Sequence, residues 1–335
     1  MKRLLAISLA LCLLPALLAR GDEGTQAALY RGQVSRDAMI YTSPSLDAPN
    51  LGYALKGKFV EILEVEPAWL KIRYRDTVVG FIRRHLMVDA SVVVVNQQTT
   101  PPYSAVNCEW LAWVSGDAPV LAEPREGAQV LITLHEGARL ALIDIEDGWG
   151  KLIYHRQYAY INTNRFSEIQ PVNKLEAPGS DAPIAAYTSF YRITTDESNL
   201  NRMVNLQVAS DRFTLYTLAK GDRLDFNKNI GPYSRKVGYL PANALVAGEV
   251  VQSYGGGTCQ VSSTLYNVLL QLPKVEILRR RPHGPSAAPY LPHGADAAVG
   301  SATQNLVIRN QYDFPIRIDG TVQDGALTIA IYRAD

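Results

Sequence analysis

The chain has 335 residues, enough for about two domains of ordinary size, or more if some are small β modules. Hydrophobic residues make up 47% and charged residues 19%, which supports packed cores and excludes wholesale disorder. A formal net charge of +1 argues against nucleic acid as the main partner, because duplex-binding domains usually carry a basic stripe. Three cysteines without a Cys-x-x-Cys motif argue against a disulfide-dense scaffold and a cysteine-type zinc site.

The N-terminus is typical of a secretory signal peptide, which we assign to residues 1–27. Two basic residues precede an uncharged, mostly apolar stretch from Leu4 to Ala19, too short for an ordinary membrane span. An uncleaved anchor is therefore the weaker interpretation. We expect an exported protein of the periplasm or cell envelope, with no transmembrane domain in the mature chain. Loss of the signal would remove Cys12 and leave Cys108 and Cys259 in an oxidising compartment.

An internal repeat with an offset of about 80 residues follows the signal. Each copy contains a Pro turn, a Gly, an apolar run, a Trp that opens an alternating strand, and an aromatic-Ile pair. These features predict short strands that form a small barrel in each copy. The aligned pairs include Pro44 with Pro124, Gly57 with Gly137, Trp69 with Trp149, Lys71 with Lys151 and Tyr74 with Tyr154.

Both copies resemble bacterial SH3-like domains, in which a Gly-Trp-Val element closes the unit. Here that element reads Gly80-Phe81-Ile82 and Ala159-Tyr160-Ile161, so the match is good but not perfect. The resemblance implies modules that bind cell-wall peptides or hold partner domains, without chemistry of their own. We interpret Trp69 and Trp149 as core residues, because Trp is highly buried on average.

The composition divides the rest of the chain at two Pro-containing linkers. The predicted SH3-like domains are residues 28–90 and 108–172, the linkers are 91–107 and 173–183, and a third region of different texture covers 184–335.

The sharpest motif in the third region runs Tyr254-Gly255-Gly256-Gly257-Thr258-Cys259-Gln260. Three glycines followed by apolar residues at helical spacing predict a turn that leads into an amphipathic helix. Cys259 would lie near the helix N-terminus, where unpaired N–H groups and the helix dipole favour a thiolate. The glycines could also direct backbone N–H groups toward an oxyanion. A nucleotide-binding P-loop is weakly supported, because the Gly-Lys-Ser/Thr ending is absent from the motif.

A nucleophilic thiol requires a base and a group that orients the base. His283 follows the basic run Arg279-Arg280-Arg281, and His293 and Asp296 lie in a later Pro- and Gly-containing segment. Sequence spacing does not show that these residues meet, and either histidine could be a loop residue beside prolines. The chain has no HExxH, SxxK or GxSxG signature, so metalloprotease, penicillin-binding serine and esterase chemistry lack support. We predict neither a metal nor a cofactor.

The third region resembles the VanW family, whose members are found at the cell envelope. The shared features, in chain order, are Asn201-Arg202, Leu224-Asp225-Phe226-Asn227, Gly238-Tyr239, the glycine-cysteine motif through Asn267, Arg281 with His283, and Tyr290-x-Pro-x-Gly294-x-Asp296-Ala297. The cysteine motif looks like the nucleophile of an L,D-transpeptidase that acts on peptidoglycan.

The resemblance implies a role for each matching residue. Cys259 would attack an L,D peptide bond in a peptidoglycan stem peptide, His283 would act as general base and acid, and Asp296 would orient it. The implied substrate-binding residues are Gly257 and Thr258 through their N–H groups, Arg280 or Arg281 through a stem carboxylate, Tyr290, and Gln260, for which a structural role is the alternative.

The predicted fold is mainly β with an α+β part: two tandem SH3-like β-barrels followed by an α+β VanW domain. The predicted function is thiol acyl transfer on peptidoglycan stem peptides, with an L,D-carboxypeptidase that uses water at the same site as one alternative. The other alternative is a non-catalytic peptidoglycan-binding or scaffold protein that contacts other envelope proteins. In that case Cys259 would be buried or would form a disulfide with Cys108.

Overall fold

The computed structural model describes residues 26–172, 183–246, 249–283 and 288–334. The predicted signal peptide at 1–27 and the predicted linker at 173–183 lie almost entirely outside the described residues. Within the described ranges, every helix is too short or too polar to span a bilayer. The described chain is mostly β-structure, arranged in three successive units.

The first unit is one antiparallel sheet with the strand order β3-β2-β6-β5-β4-β1-β7. Alternate residues of β5 and β6 point into its core, as their apolar periodicity predicts. Trp69 is buried, with 7% of its surface exposed, but it lies on the opposite face of β5 from the core residues Leu70 and Ile72. Trp149 is only half-buried, so the interpretation of both tryptophans as core residues was wrong. The strands are β1 Tyr30–Gln33, β2 Ala38–Tyr41, β3 Asn50–Ala54, β4 Phe59–Val65, β5 Trp69–Tyr74, β6 Val78–Arg83 and β7 Val93–Val94.

Two parts of the predicted linker at residues 91–107 belong to the first unit. Its strand β7 pairs with β1 and so completes the first sheet, because the Val-rich stretch has strong β propensity. Further along, Tyr103 is buried in the core of the first unit. The first unit therefore extends past the predicted boundary at residue 90.

The second unit repeats the strand order of the first. A sheet of order β10-β9-β14-β13-β12 corresponds to β3-β2-β6-β5-β4, and a sheet of order β11-β8-β15 corresponds to β4-β1-β7. The single strand β4 is interrupted here near Ile143, which separates β11 from β12. The strands are β8 Trp110–Val114, β9 Ala118–Leu121, β10 Val130–Leu134, β11 Arg139–Leu142, β12 Asp144–Glu146, β13 Trp149–Tyr154, β14 Gln157–Asn162 and β15 Phe166–Pro171.

The third unit combines short sheets with helices. Its main sheet has the order β16-β24-β23-β17, and helices α1 and α3 pack against this sheet and against each other. The smaller sheets are β18-β22-β21 and the hairpin β19-β20. The elements are β16 Pro183–Phe190, α1 Glu197–Asp211, β17 Thr217–Leu218, β18 Arg223–Asp225, α2 Phe226–Asn229, β19 Pro241–Val246, β20 Glu249–Tyr254, α3 Thr258–Leu269, β21 Val275–Arg279, β22 Val307–Asn310, β23 Ile316–Gln323 and β24 Ala326–Arg333.

Strand β16 joins the second and third units into one hydrophobic core. All eight of its residues are buried, because α3 covers one side and β11 of the second unit covers the other. The Thr188 hydroxyl accepts a hydrogen bond from the Ala141 N–H at 2.9 Å and lies 2.7 Å from the Thr328 hydroxyl. These polar contacts satisfy the hydroxyls that the packing buries.

Candidate functional site

The glycine turn that precedes α3 is required by close packing on both sides. Gly257 is the N-cap of α3 and has a φ of 102°, and a Cβ atom there would lie 2.6 Å from Cγ of Arg202. At Gly256 a Cβ atom would lie 2.4 Å from the carbonyl oxygen of Ala242 in β19. Only glycine fits both positions, so the turn can bring the start of α3 against the hairpin and α1. The predicted helix is thus confirmed, and Cys259 is its second residue.

Cys259 is half-buried and is a free thiol. Its Sγ accepts a hydrogen bond from the Val299 N–H at 3.4 Å and lies 3.5 Å from the Val299 carbonyl oxygen. Cys108 lies buried where the second unit meets the third, and it is not bonded to Cys259. The alternative disulfide between the two cysteines is therefore not formed.

His283 and Asp296 meet beside Cys259, although 13 residues separate them in the chain. His283 Nδ1 lies 2.6 Å from Asp296 Oδ2, and the same oxygen accepts the backbone N–H of His283 at 2.6 Å. This double contact fixes the ring, so the other ring nitrogen, Nε2, is the one left to serve the thiol. Cys259 also lies close enough to His283 to raise the pKa of the imidazole, and both side chains line the same cavity.

The charges at this site shift the titration of both partners. Burial alone lowers the pKa of His283, but its hydrogen bonds to Asp296 and Cys259 outweigh burial and raise the pKa to about 10. Burial raises the pKa of the Asp296 carboxyl, yet hydrogen bonds and positive charge from His283, together with Arg280, hold it below its usual range. The pair therefore favours an imidazolium next to a carboxylate.

Arg280 holds Asp296 in place through hydrogen bonds. Its guanidinium donates to the backbone carbonyls of Asp296 and Gly294, both at 2.7 Å, and reaches Asp296 Oδ1 at 3.3 Å. The ring of Tyr266 on α3 lies under the same guanidinium, 4.9 Å away. These contacts hold the carboxylate behind His283.

Helix α3 also positions Asp296 through its own buried polar residues. The Ser263 hydroxyl accepts the Ala297 N–H at 2.9 Å, and the Ser262 hydroxyl donates to the Ala297 carbonyl at 2.6 Å. The Asn267 side chain donates to the Ala295 carbonyl at 2.7 Å. The segment that carries Asp296 is thus fastened to the helix that carries Cys259.

A cavity of about 560 Å³ opens over Cys259. Its walls come from α1, the β19-β20 hairpin, the glycine turn and the segments around residues 283, 290 and 300. Its described lining residues with ionisable side chains are Arg202, Tyr233, Tyr254, Cys259, His283 and Tyr290.

The predicted substrate-binding residues divide into two groups. Gly257, Thr258 and Tyr290 line the cavity. The Thr258 N–H, however, donates to the Gly255 carbonyl at 3.0 Å and is engaged in the turn. Among the described residues, the Gly257 N–H has no hydrogen-bond acceptor.

Arg280, Arg281 and Gln260 lie outside the described lining of this cavity. Arg280 is directed at Asp296, and Arg281 is exposed elsewhere on the surface. Gln260 is buried with 1% exposure, donates to Ser189 and Phe190, and accepts from Arg202, which supports its structural alternative.

Among the described lining residues the one arginine is Arg202, which the sequence did not identify as functional. It lies 57 residues before Cys259, so local spacing gave no signal beyond its place in the family resemblance.

His293, the other candidate base, lies away from the thiol at the junction with the first unit. It stacks on Tyr103 with a ring-centroid distance of 5.2 Å and meets the edge of Tyr30. Burial, with the positive charges of Arg156 and Arg84, lowers its pKa to about 2. A permanently neutral imidazole at this interface is a packing group.

The described residues contain no group of three or more His, Cys, Asp or Glu side chains arranged to hold a metal ion. The described lining of the cavity offers a thiol, an imidazole backed by the Asp296 carboxylate, three phenols and a guanidinium.

Comparison with solved structures gives only weak likenesses. NlpC2 from Trichomonas vaginalis is 11% identical, with 58% of each chain covered and a TM-score of 0.17. An NlpC/P60 family protein from Bacillus cereus ATCC 10987 is 14% identical, with 44% of this chain and 59% of that chain covered and a TM-score of 0.17. These scores are too low to indicate a shared fold.

Comparison with protein families and curated proteins identifies two regions. The uncharacterized protein YoaR of Bacillus subtilis (strain 168) is 30% identical over 183 residues, which are 53% of this chain and 60% of the relative. The match thus spans less than two thirds of that relative. The family described as VanW like protein matches residues 201–332, and the bacterial SH3 domain family matches residues 37–87. The chain therefore carries a VanW-like domain that contains the Cys259 cavity, preceded by a bacterial SH3 domain in its first unit.

Proposed function

We propose that this is an exported envelope protein that carries out thiol acyl transfer on peptidoglycan stem peptides through Cys259. The observation that carries the proposal is the geometry of three residues. Cys259 lies at the start of a helix and contacts His283. Asp296 lies on the other side of the His283 ring, 2.6 Å from its Nδ1 atom. A thiol, an imidazole and an orienting carboxylate in this order are the requirements for nucleophilic cysteine catalysis.

The first half of the reaction forms a thioester. His283 holds the proton of the thiol as an imidazolium, and the sulfur attacks the carbonyl carbon of the L,D peptide bond to give a tetrahedral intermediate. His283 then returns the proton to the departing nitrogen, so that the C–N bond breaks and a D-amino acid leaves. The Gly257 N–H, at the helix N-terminus, is the donor we assign to the oxyanion.

The second half releases the acyl group. An amine on a neighbouring stem attacks the thioester, passes its proton to His283, and yields a cross-link together with the regenerated thiol. Water at the same position would yield a shortened stem, which is the L,D-carboxypeptidase alternative. Both outcomes use the same three residues, so only the product distinguishes them.

The SH3 units would supply binding rather than chemistry. We propose that the second unit is a second SH3-like barrel, because its strand order repeats that of the unit which the SH3 family matches. Two such modules next to a catalytic domain would raise the local concentration of wall peptides. The apolar N-terminal stretch supports export to the compartment in which these peptides occur.

The competing proposal is a non-catalytic wall-binding or scaffold protein. The SH3 match supports it, since such a module needs no chemistry to act. The Cys259 cavity is then without a purpose, although both the free thiol and its imidazole contact are present. This contrast makes Cys259 the residue on which to test the two proposals.

The test is a muropeptide profile of purified peptidoglycan incubated with the mature protein, with Cys259→Ala, and with Cys108→Ala. Cys108 is the matched control because it is the other cysteine, buried away from the cavity. New cross-links between third residues of two stems indicate a transpeptidase, and shortened stems indicate a hydrolase, provided Cys259→Ala alone abolishes them. Unchanged muropeptides with wall binding retained by all three proteins would leave the scaffold proposal.

A further inference from the structure

The guanidinium of Arg202 lies in the Cys259 cavity and has no anionic partner among the residues that the structure describes. Its side chain extends from α1, passes against Gly257 and donates a hydrogen bond to the Gln260 side-chain oxygen. Among the described residues no carboxylate lies within ion-pair distance of it, and the ionisable groups that act on it are the phenols of Tyr290 and Tyr191. Burial lowers its pKa, although an arginine stays charged in proteins.

The surroundings hold Arg202 in place rather than neutralise it. The Gln260 amide donates to the Ser189 hydroxyl at 3.0 Å and to the Phe190 carbonyl at 3.1 Å, so its oxygen is turned toward Arg202. A guanidinium has five N–H donors, and this contact uses one of its nitrogens. Removing a cation from water without a partner is costly, so such a group is expected to have an anionic ligand.

The position of Arg202 relative to Cys259 limits where the anionic group of the ligand can lie. The Arg202 side chain lies against Gly257. The Cα atoms of Gly257 and Cys259 are two residues apart and therefore within about 8 Å of each other. In a peptide, the carboxylate of the last residue is about one Cα–Cα step of 3.8 Å from the preceding carbonyl. This spacing matches a peptide in which the thiol faces the last peptide bond and the cation faces the C-terminal carboxylate.

We infer that Arg202 forms an anion subsite that binds the C-terminal carboxylate of a peptide whose last peptide bond faces Cys259. The inference deepens the proposed function and rests on it for the choice of a peptide ligand. It assigns to Arg202 the specificity role that sequence reasoning gave to Arg280 or Arg281. It also makes the site exo-acting, because an internal peptide bond offers no carboxylate at that position.

The first test measures alkylation of Cys259 by iodoacetate and iodoacetamide, which have similar size but differ in charge. Arg202→Met should lower the ratio of the iodoacetate rate to the iodoacetamide rate by about tenfold or more, because a charge-assisted hydrogen bond is lost. Arg235→Met, which removes an exposed arginine of the same unit, should leave the ratio unchanged. Cys259→Ala supplies the blank. Equal ratios in wild-type protein and folded Arg202→Met would overturn the inference.

The second test needs no substitution and so does not depend on the folding of a variant. N-acetyl-D-alanine should slow the alkylation of wild-type Cys259 by iodoacetamide, whereas N-acetyl-D-alaninamide should not. Equal effects of the two compounds, or no effect of either, contradict the inference. Protection by the α-amide of N-acetyl-D-glutamate instead would assign the charge to a ligand side chain and contradict the terminal assignment.

The two proposals can fail separately. Selective protection by N-acetyl-D-alanine with unchanged muropeptides would retain the anion subsite and reject acyl transfer on peptidoglycan. New muropeptides that form equally from stems with free and with amidated C-termini would retain acyl transfer and reject the subsite.

Discussion

Asp296 determines how His283 presents its ring to Cys259. One carboxylate oxygen accepts both the ring N–H and the backbone N–H of His283, so the ring has little freedom to rotate. The carboxylate is itself 4% exposed, and Arg280 holds its other oxygen. A buried carboxylate with this many donors stays ionised and keeps the imidazole protonated.

Replacing Asp296 with Asn should lower the pKa of His283 from about 10 toward or below its ordinary value. The amide cannot supply the negative charge that offsets burial, and burial alone disfavours the imidazolium. The measurement is an NMR titration of the His283 ring protons in wild-type protein and Asp296→Asn.

The internal control for this titration is His135, whose pKa is raised by a hydrogen bond to Asp117 on an exposed surface. Its titration should be the same in both proteins. A His283 pKa that does not move in Asp296→Asn would show that Asp296 is not the group that maintains the imidazolium.

The residues of the candidate site differ in how far the sequence could predict them. Cys259 was predictable because its signal is local: three glycines and a helix start make a thiol there unusual. His283 was one of two histidine candidates, and only the tertiary contact with Asp296 separates it from His293. Arg202 was missed because its contact with the cavity depends on how α1 packs against the glycine turn.

At the scale of elements, α3 is a buried helix whose polar side chains form hydrogen bonds with a neighbouring segment. Its apolar periodicity predicted a helix, and such a pattern normally implies a solvent-facing polar side. In the structure, Ser262, Ser263 and Asn267 are fully buried and bind the backbone around Asp296. Periodicity could not reveal this, because hydrogen bonds to a distant backbone leave no pattern in the helix sequence.

The glycine turn before α3 should tolerate no side chain at Gly257. Gly257→Ala combines a positive φ with overlap on Arg202, whereas Gly116→Ala has a similar φ of 113° and nothing within 4 Å. We expect the control to cost about 1 kcal/mol of unfolding free energy from backbone strain. Gly257→Ala should cost about 1–3 kcal/mol more because of the overlap.

Urea unfolding of the two alanine variants measures this difference, and the alkylation ratio of iodoacetate to iodoacetamide reports on Arg202. A displaced guanidinium should lower that ratio in Gly257→Ala alone. Equal unfolding free energies for the two variants would mean that the contact between Gly257 and Arg202 does not constrain the turn.

At the scale of the whole molecule, the second unit supports the wall of the cavity. Arg156 at the turn before β14 donates to the carbonyls of Leu291 and Ala288, at 3.2 and 3.1 Å. The segment it holds carries Tyr290, which lines the cavity. The repeat and its strands were predictable from local patterns, whereas this contact joins residues more than 130 positions apart and was not.

Arg156→Met should loosen that segment and slow the alkylation of Cys259 by iodoacetamide, with a loss of about 2 kcal/mol of unfolding free energy. The loss follows because two buried carbonyls are left without their charged donor. Arg165→Met, an exposed arginine of the same unit, is the matched control and should change neither quantity. Identical behaviour of the two variants would mean that the second unit does not support the wall of the cavity.

The junction of the first unit with the VanW-like domain should be weakened by acid through His293. Its folded-state pKa of about 2 lies below the ordinary value of 6.5, so only the unfolded chain takes up a proton as the pH falls below 6.5. The contribution of the neutral imidazole is complete above pH 6.5. It declines by about 1 kcal/mol per pH unit below that value.

His293→Phe should remove this acid dependence, because a phenyl ring can stack on Tyr103 and the Nδ1 atom of His293 has no hydrogen-bond partner among the described residues. Unfolding free energies measured between pH 6.5 and 5 should therefore fall less steeply in His293→Phe than in the wild-type protein. His135→Gln should not flatten the slope, since the raised pKa of that exposed histidine favours the folded state as the pH falls, which is the opposite dependence. Parallel slopes for His293→Phe and the wild-type protein would mean that His293 is protonated at the interface, which its burial between two tyrosines and two arginines argues against.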